Sequence, residues 1–338
     1  MRAEYVRAER WLRHAHRLIV SELDAGHPDS VNIGNALAAV LEVRGDLAGA
    51  EMLLRDSAAG IGAIAADLEA VHLIRIQTWQ QLGGVLRLQG RYADAGDWLR
   101  RALADSESTL GAAHPQTGAV LNNLAVLLKY TGGFDEAAAL YDRALRLALA
   151  GEPPDEMTIA TLYHNIGGLA HARGTFAEGE EPARRAHEIR LRVLGPDHPE
   201  VAADAAAWAG LLEGLGRFDE ARAIYGRALA IYRTVYGEEH PEVAYALSAL
   251  ANAEAGGGRH VEAEAHYREA VARRERLFGP DHPDVGLTLH NYARLLTDMG
   301  RVGDARAAAD RASQIFAAHY AEGHPKIRAA AALLAELA

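Results

Sequence analysis

Residues 114–149 read HPQTGAVLNNLAVLLKYTGGFDEAAALYDRALRLAL. Apolar positions recur at helical spacing on both sides of Gly132: Leu121, Leu124, Ala125 and Leu128 before it, Ala137, Tyr141, Ala144 and Leu145 after it. Pro115 suits a first helical position, where the missing N–H has no partner to lose, and Gly132 suits the turn that reverses the chain. The stretch predicts two helices folded back on each other.

Outward from this hairpin the pattern repeats. His-Pro pairs begin at His27, His114, His198, His240, His282 and His324, and the last four stand 42 residues apart. A glycine follows each prolyl position by 17 residues, at Gly45, Gly90, Gly132, Gly174, Gly216, Gly258 and Gly300, including the two units that lack a His-Pro pair. Seven units follow, and a period of this length is the mark of a solenoid, which makes domain counting by length meaningless. Small residues recur in the second helix, at Ala50, Ala95, Ala137, Ala221, Ala263 and Ala305, and again at Ala102, Ala144, Ala186, Ala228, Ala270 and Ala312. They let neighbouring hairpins approach closely. Two joints depart from the period: Gly45 to Gly90 is 45 residues, and the stretch Gly151-Glu152-Pro153-Pro154 has lost its histidine. Any bend or flexibility is expected there.

The motifs Leu121-Asn122-Asn123-Leu124-Ala125, Phe134-Asp135-Glu136-Ala137 and Tyr141-Asp142-Arg143-Ala144-Leu145, echoed by Arg217-Phe218-Asp219-Glu220-Ala221 and Tyr225-Gly226-Arg227-Ala228-Leu229, resemble the tetratricopeptide repeat, in the 42-residue form of kinesin light chain and many bacterial proteins. Pro182, inside a second helix, resembles a proline of that form and is expected to bend or loosen one turn. The resemblance implies an all-α fold, a right-handed superhelical solenoid. It would be one domain over 1–338: an N-terminal capping helix at 2–24, seven hairpins over 28–325, and a C-terminal capping helix at 326–337.

Composition agrees with this and excludes much else. The 338 residues are 49% hydrophobic but 6% aromatic, so the core is aliphatic and small. A net charge of -11 argues against a general nucleic-acid binder. With no cysteine there is no disulfide, thiolate metal site or cysteine nucleophile. Lys129 and Lys326 are the two lysines among 35 basic residues, a bias that points to a high-GC genome. No apolar run approaches the roughly 18 residues of a membrane helix, and the polar N-terminus has no signal-peptide pattern, so the chain reads as cytoplasmic and free of membrane.

In the resembled family the inner wall of first helices is the usual ligand site. Transfer of its positions gives one level at Asn35, Gln80, Asn122, His164, Ala206, Ser248 and His290, with Asn123 and Asn165 beside it. A turn on are Gly84, Gly168, Gly210, Asn252 and Arg294, where the glycines leave room. The next turn carries Arg87, Lys129, His171 and Glu213, which put charge on one rim. Amides, imidazoles and arginines suit an extended peptide with a carboxylate. Polar residues on a wet wall also need no ligand to explain them.

Other chemistry is weaker. His164 and His171 share a helix face with Glu213 nearby in the next unit, yet seven residues is about 10.5 Å of rise, too far for one ion, and no HExxH or similar signature is present. The His-Pro histidines fall in successive units about 10 Å apart, so they form a row that fixes each loop into the next helix. Glu254 stands where Leu128, Leu212 and Leu296 stand elsewhere; fraying before Gly256-Gly257-Gly258 would bring it to water, and otherwise it would pair with an arginine or face a ligand. Arg273-Arg274-Glu275-Arg276 reads as a solvated helix surface. Phosphate loops and serine triads are absent from the sequence.

The expected function is a non-catalytic scaffold or adaptor binding a protein or peptide segment in the groove, with no cofactor or metal. The alternative is a small-molecule binder or unusual enzyme around His164, His171, Glu213 and Arg294. Pairing of two copies through the end caps is a further possibility to be tested.

Overall fold

The computed structural model describes residues 2–63, 68–320 and 323–337, with side chains from residue 5 onward. The first irregular joint includes residues 64–67, which lie outside the described residues. Every regular element among the described residues is a helix, and the fold is an all-α helical repeat solenoid. The chain forms two compact units, residues 1–165 and 166–338.

The first unit holds α1 (Arg2–Leu23), α2 (Pro28–Val43), α3 (Leu47–Gly62), α4 (Glu69–Leu88), α5 (Tyr92–Thr109), α6 (Pro115–Thr131) and α7 (Phe134–Ala150), and α8 (Glu156–Arg173) begins in it. The second holds the end of α8, then α9 (Phe176–Leu194), α10 (Pro199–Gly214), α11 (Phe218–Tyr236), α12 (Pro241–Gly256), α13 (His260–Phe278), α14 (Pro283–Asp298), α15 (Val302–His319) and α16 (Pro325–Glu336). Within each unit a first helix packs on its own second helix and on the next first helix, as α4 does on α5 and α6, and α12 on α13 and α14. First helices therefore form a continuous layer in each unit.

The His-Pro histidines start the first helices by direct capping. In all six the ring Nδ1 accepts the N–H two residues on, from Asp29, Gln116, Glu200, Glu242, Asp284 and Lys326, at 3.0 to 3.3 Å. The imidazole stands in for the usual Asp, Asn or Ser acceptor, and the proline after it has no N–H to satisfy. In the last three the ring is also stacked by an aromatic four residues earlier, Tyr236 on His240 at 4.1 Å, Phe278 on His282 at 4.7 Å and Tyr320 on His324 at 4.1 Å between centroids. The seven turn glycines all hold φ between 73° and 82°, the left-handed region that a side chain would strain.

The recurrent alanines are each at most 1% exposed, as close helix contact requires. Helix α9 continues through Pro182. Two expectations are corrected. Glu254 does not reach water: α12 runs on to Gly256, and the carboxylate is 5% exposed and pairs with His266 Nδ1 at 2.7 Å, a histidine in place of the expected arginine. Arg273 and Arg274 are not a solvated surface, being 8% and 6% exposed. Arg273 is held by Glu238 and Glu269. Among the described residues Arg274 has no carboxylate partner; its Nη1 donates to Asp284 O at 2.8 Å and to Thr288 Oγ1 at 2.5 Å.

No described helix is long and apolar enough to cross a membrane.

Candidate functional site

In the second unit, first helices α10, α12 and α14 line a cleft of about 610 Å³, closed at one side by the end of α8. Small residues make it. Ala206, Ala207 and Gly210 of α10 and Gly168 of α8 leave the space, and Ser248, Asn252 and Asn291 present polar groups into it. Phe176 and Phe218 complete the wall, and each lies flat against a glycine of the next first helix: a Cβ on Gly214 would meet the Phe176 ring at 2.5 Å, and one on Gly256 the Phe218 ring at 2.3 Å. Glycine at those two helix ends is what lets the rings turn toward the cleft wall.

The polar groups of the cleft are partly spent on one another. Asn252 Oδ1 accepts from Tyr267 Oη and, at 3.3 Å, from Asn291 Nδ2. This leaves Asn252 Nδ2 as a donor and Asn291 Oδ1 as an acceptor in the cleft lining. Glu213, beside them, is pushed up to about 7 by burial, against the smaller opposing effect of a hydrogen bond from Tyr225. Burial pushes the Tyr225 hydroxyl up as well, with the Glu213 charge adding to it. Burial holds the Arg274 guanidinium down despite Asp284 nearby. Among the described residues its Nε and Nη2 make no hydrogen bond, so a buried cation with donors to spare lines the cleft.

Of the residues expected from sequence, His171, Glu213 and Asn252 line this cleft. His171 meets Phe176 edge-on, with ring centroids 5.6 Å apart. Arg294 lines an adjoining hollow of about 340 Å³ that shares Glu213, Phe218, Asn252 and Asn291. His290 is half-buried with its Nδ1 unpartnered, and burial, then Arg294, holds its ring below the usual histidine range, favouring the neutral form.

The first unit has its own cleft of about 410 Å³, lined by Gln80, Arg87 and Asn123 with Glu42 and Gly84. Gln80 accepts from Gln116 and is 7% exposed. Arg87 and Lys129 both lean on the Tyr130 ring, at 5.3 and 5.5 Å, and burial, then the Arg87 charge, lowers the Lys129 ammonium. Asn165 donates to Asn122 at 2.8 Å. Asn35 is 6% exposed and donates to Thr78 at 2.8 Å, so it fastens α2 to α4. His164 lines neither cleft. Among the described residues no three His, Asp or Glu side chains are grouped to hold one metal ion.

Arg274, Asn291, Tyr225, Phe176 and Phe218, none of them among the expected site residues, also line the cleft. The glycines at 214 and 256, where sister units have Tyr130 and Asp298, were the available signal for the two rings. For Arg274 the signal was its repeat register, since Ile61, Ser106, Tyr232 and Phe316 hold the same second-helix position and are all buried.

No curated protein matches the chain. Among solved structures it is similar to BtubC (BKLC) from P. vanneervenii, at 23% identity and TM-score 0.53 over 69% of this chain and 92% of that one. It is similar to a Rap protein complexed with competence and sporulation factor, at 15% and 0.60 over 86% and 77%. It is also similar to the apo form of the quorum sensor NprR from B. thuringiensis, at 14% and 0.56 over 99% and 97%. At these identities the likeness is one of fold. Tetratricopeptide repeat models match residues 75–150, 159–200, 202–275 and 250–318. Helix pairs opened by histidine caps, closed on buried alanines and matched over most of their length by these models place the chain in the tetratricopeptide repeat family.

Proposed function

We propose that the chain is a non-catalytic adaptor that binds an extended peptide segment in the cleft of residues 166–338. The observation that carries this is the Asn252–Asn291 pair in the cleft lining, where Asn252 Nδ2 and Asn291 Oδ1, not used in their mutual bond, are a donor and an acceptor, the complement of a peptide unit's C=O and N–H. Arg274, buried and without a carboxylate of its own, suits an acidic side chain or terminal carboxylate of the same segment. The fold neighbours include a Rap protein in complex with competence and sporulation factor and the quorum sensor NprR, which supports a binding role for this architecture.

Loss of one of these neutral hydrogen bonds costs about 0.5–1.5 kcal/mol. Asn291→Ala is therefore expected to weaken a peptide identified as co-purifying by about two- to twelvefold, measured by calorimetry. Undiminished affinity in both Asn291→Ala and Asn252→Ala would move the site elsewhere. A metabolite found in place of a peptide would favour the small-molecule reading, for which the cleft volume and the raised Glu213 are the relevant observations.

A further inference from the structure

One unit leaves its core unfilled. Seven residues after the histidine position, first helices carry Trp79, Leu121, Tyr163, Leu247 and Leu289, but Gly34 and Ala205 take that place in the other two. At Gly34 the gap is closed by Ser57 of α3 and His16 of α1, whose Oγ and Nε2 would lie 2.9 and 3.4 Å from an added Cβ. At Ala205 the corresponding ring is His187, and its Nδ1 lies 3.3 Å from Val201 O while its face tilts against Trp208 at 6.1 Å. A hollow of about 400 Å³ remains among α9, α10 and α11. It shares no lining residue with the peptide cleft.

The hollow has an apolar floor of Val201, Ala205 and Ile231, aromatic walls of His187 and Trp208, and Arg227 on its rim. From Arg227 a shallower groove of about 180 Å³ runs on past Ile231 to Val235, which is 48% exposed. Arg227 makes no ion pair among the described residues, whereas nearby Arg190, Arg217 and Arg233 are each held by a carboxylate. Asp197, which lines the same groove, does not pair with it. An unneutralised guanidinium beside an empty apolar hole selects an occupant that is apolar at one end and anionic at the other.

We infer that this hollow is a second docking site, for a partner segment that inserts a leucine- or phenylalanine-sized side chain beside Ala205 and sets an adjacent carboxylate on Arg227. The inserted side chain takes the place that leucine fills in sister units. This inference stands apart from the peptide-cleft reading, since either site can fail without the other.

Trp208 lines the hollow, and among the described residues its buried indole N–H has no hydrogen-bond partner, so its resonance reports on what enters. The full-length chain is titrated with acetyl-Phe-Asp-amide and with acetyl-Phe-Lys-amide, following that indole signal in ¹H–¹⁵N spectra, assigned with Trp208→Phe. The expected result is a saturable shift with the aspartate peptide and binding weaker by about threefold or more with the lysine peptide, as one partly exposed ion pair gives. Arg227→Glu, a rim substitution that leaves the core untouched, should invert the preference. Ala205→Leu should abolish the shift while keeping the thermal midpoint at or above that of the parent. Absence of a shift with both peptides, equal affinity for the two, or undiminished binding by Ala205→Leu would each overturn the inference. So would a shift that follows protein concentration instead of added peptide, which would assign the hollow to a second copy.

Discussion

Six histidine rings start six helices in this chain, and each does so through one nitrogen lone pair. The capping geometry predicts that His240→Asn, which keeps an acceptor in reach of the Glu242 N–H, costs little. His240→Ala loses the cap and the stack on Tyr236, and is expected to cost about 1 kcal/mol or somewhat more, measured by urea unfolding. Equal losses in both variants would show that the ring packs without capping. Glu213 gives a pH-dependent test. Its carboxyl is pushed up to about 7 in the fold, above the ordinary glutamate value near 4.3, so between those values the folded chain holds a proton that the unfolded chain releases. Stability from this group is full below that ordinary value and is lost as pH rises through 7. Glu213→Gln should therefore match the parent at pH 4 and exceed it at pH 8 by roughly 1–3 kcal/mol, read from denaturation midpoints; a constant difference would contradict the buried placement. At this scale sequence was legible where a residue recurred. That His240 fixes its loop into the next helix followed from spacing, and the burial of Arg274 could have been read from its sister positions Tyr232 and Phe316; the Glu254–His266 pair could not, because it depends on one neighbour from another helix.

At the scale of elements, the helical hairpins follow from local chemistry: a capped start, an apolar stripe, a left-handed glycine, and alanines where the second helix meets its neighbours. These signals lie within one unit, so they can be read from one unit. The cleft walls cannot, since they depend on how a residue of one hairpin meets the next. The Phe218 ring against Gly256 is such a contact. Gly256→Ala places a methyl group where the ring now lies and must displace it. Overpacking of this kind typically costs about 1–3 kcal/mol. Thermal unfolding should show the loss, and Phe218→Ala introduced into the Gly256→Ala background should not add to it fully, because the two changes act on one contact. Full additivity would indicate that ring and glycine do not touch. The amide level of the inner wall shows the same limit. The residue types were legible from the repeat pattern, but not that Asn35 and Gln80 would be buried against Thr78 and Gln116, while Asn252 and Asn291 line an open cleft.

For the molecule as a whole, function follows from what the repeats leave open. In residues 166–338 the first helices put small side chains around the cleft, Gly168, Ala206, Ala207, Gly210, Ser248 and Ala249, and larger or charged ones, among them Glu213, Arg274, Phe176 and Phe218, border the resulting space. Such a surface suits binding by complementarity, which is why an adaptor role is proposed. The most direct test is native mass spectrometry of the chain purified from its own host, compared with Gly210→Trp, which fills the cleft from α10. The parent should carry a bound peptide that is released on activation and can be sequenced, and the filled variant should carry none. The same bound species on both proteins, or a parent that carries a metabolite and no peptide, would contradict peptide binding in this cleft.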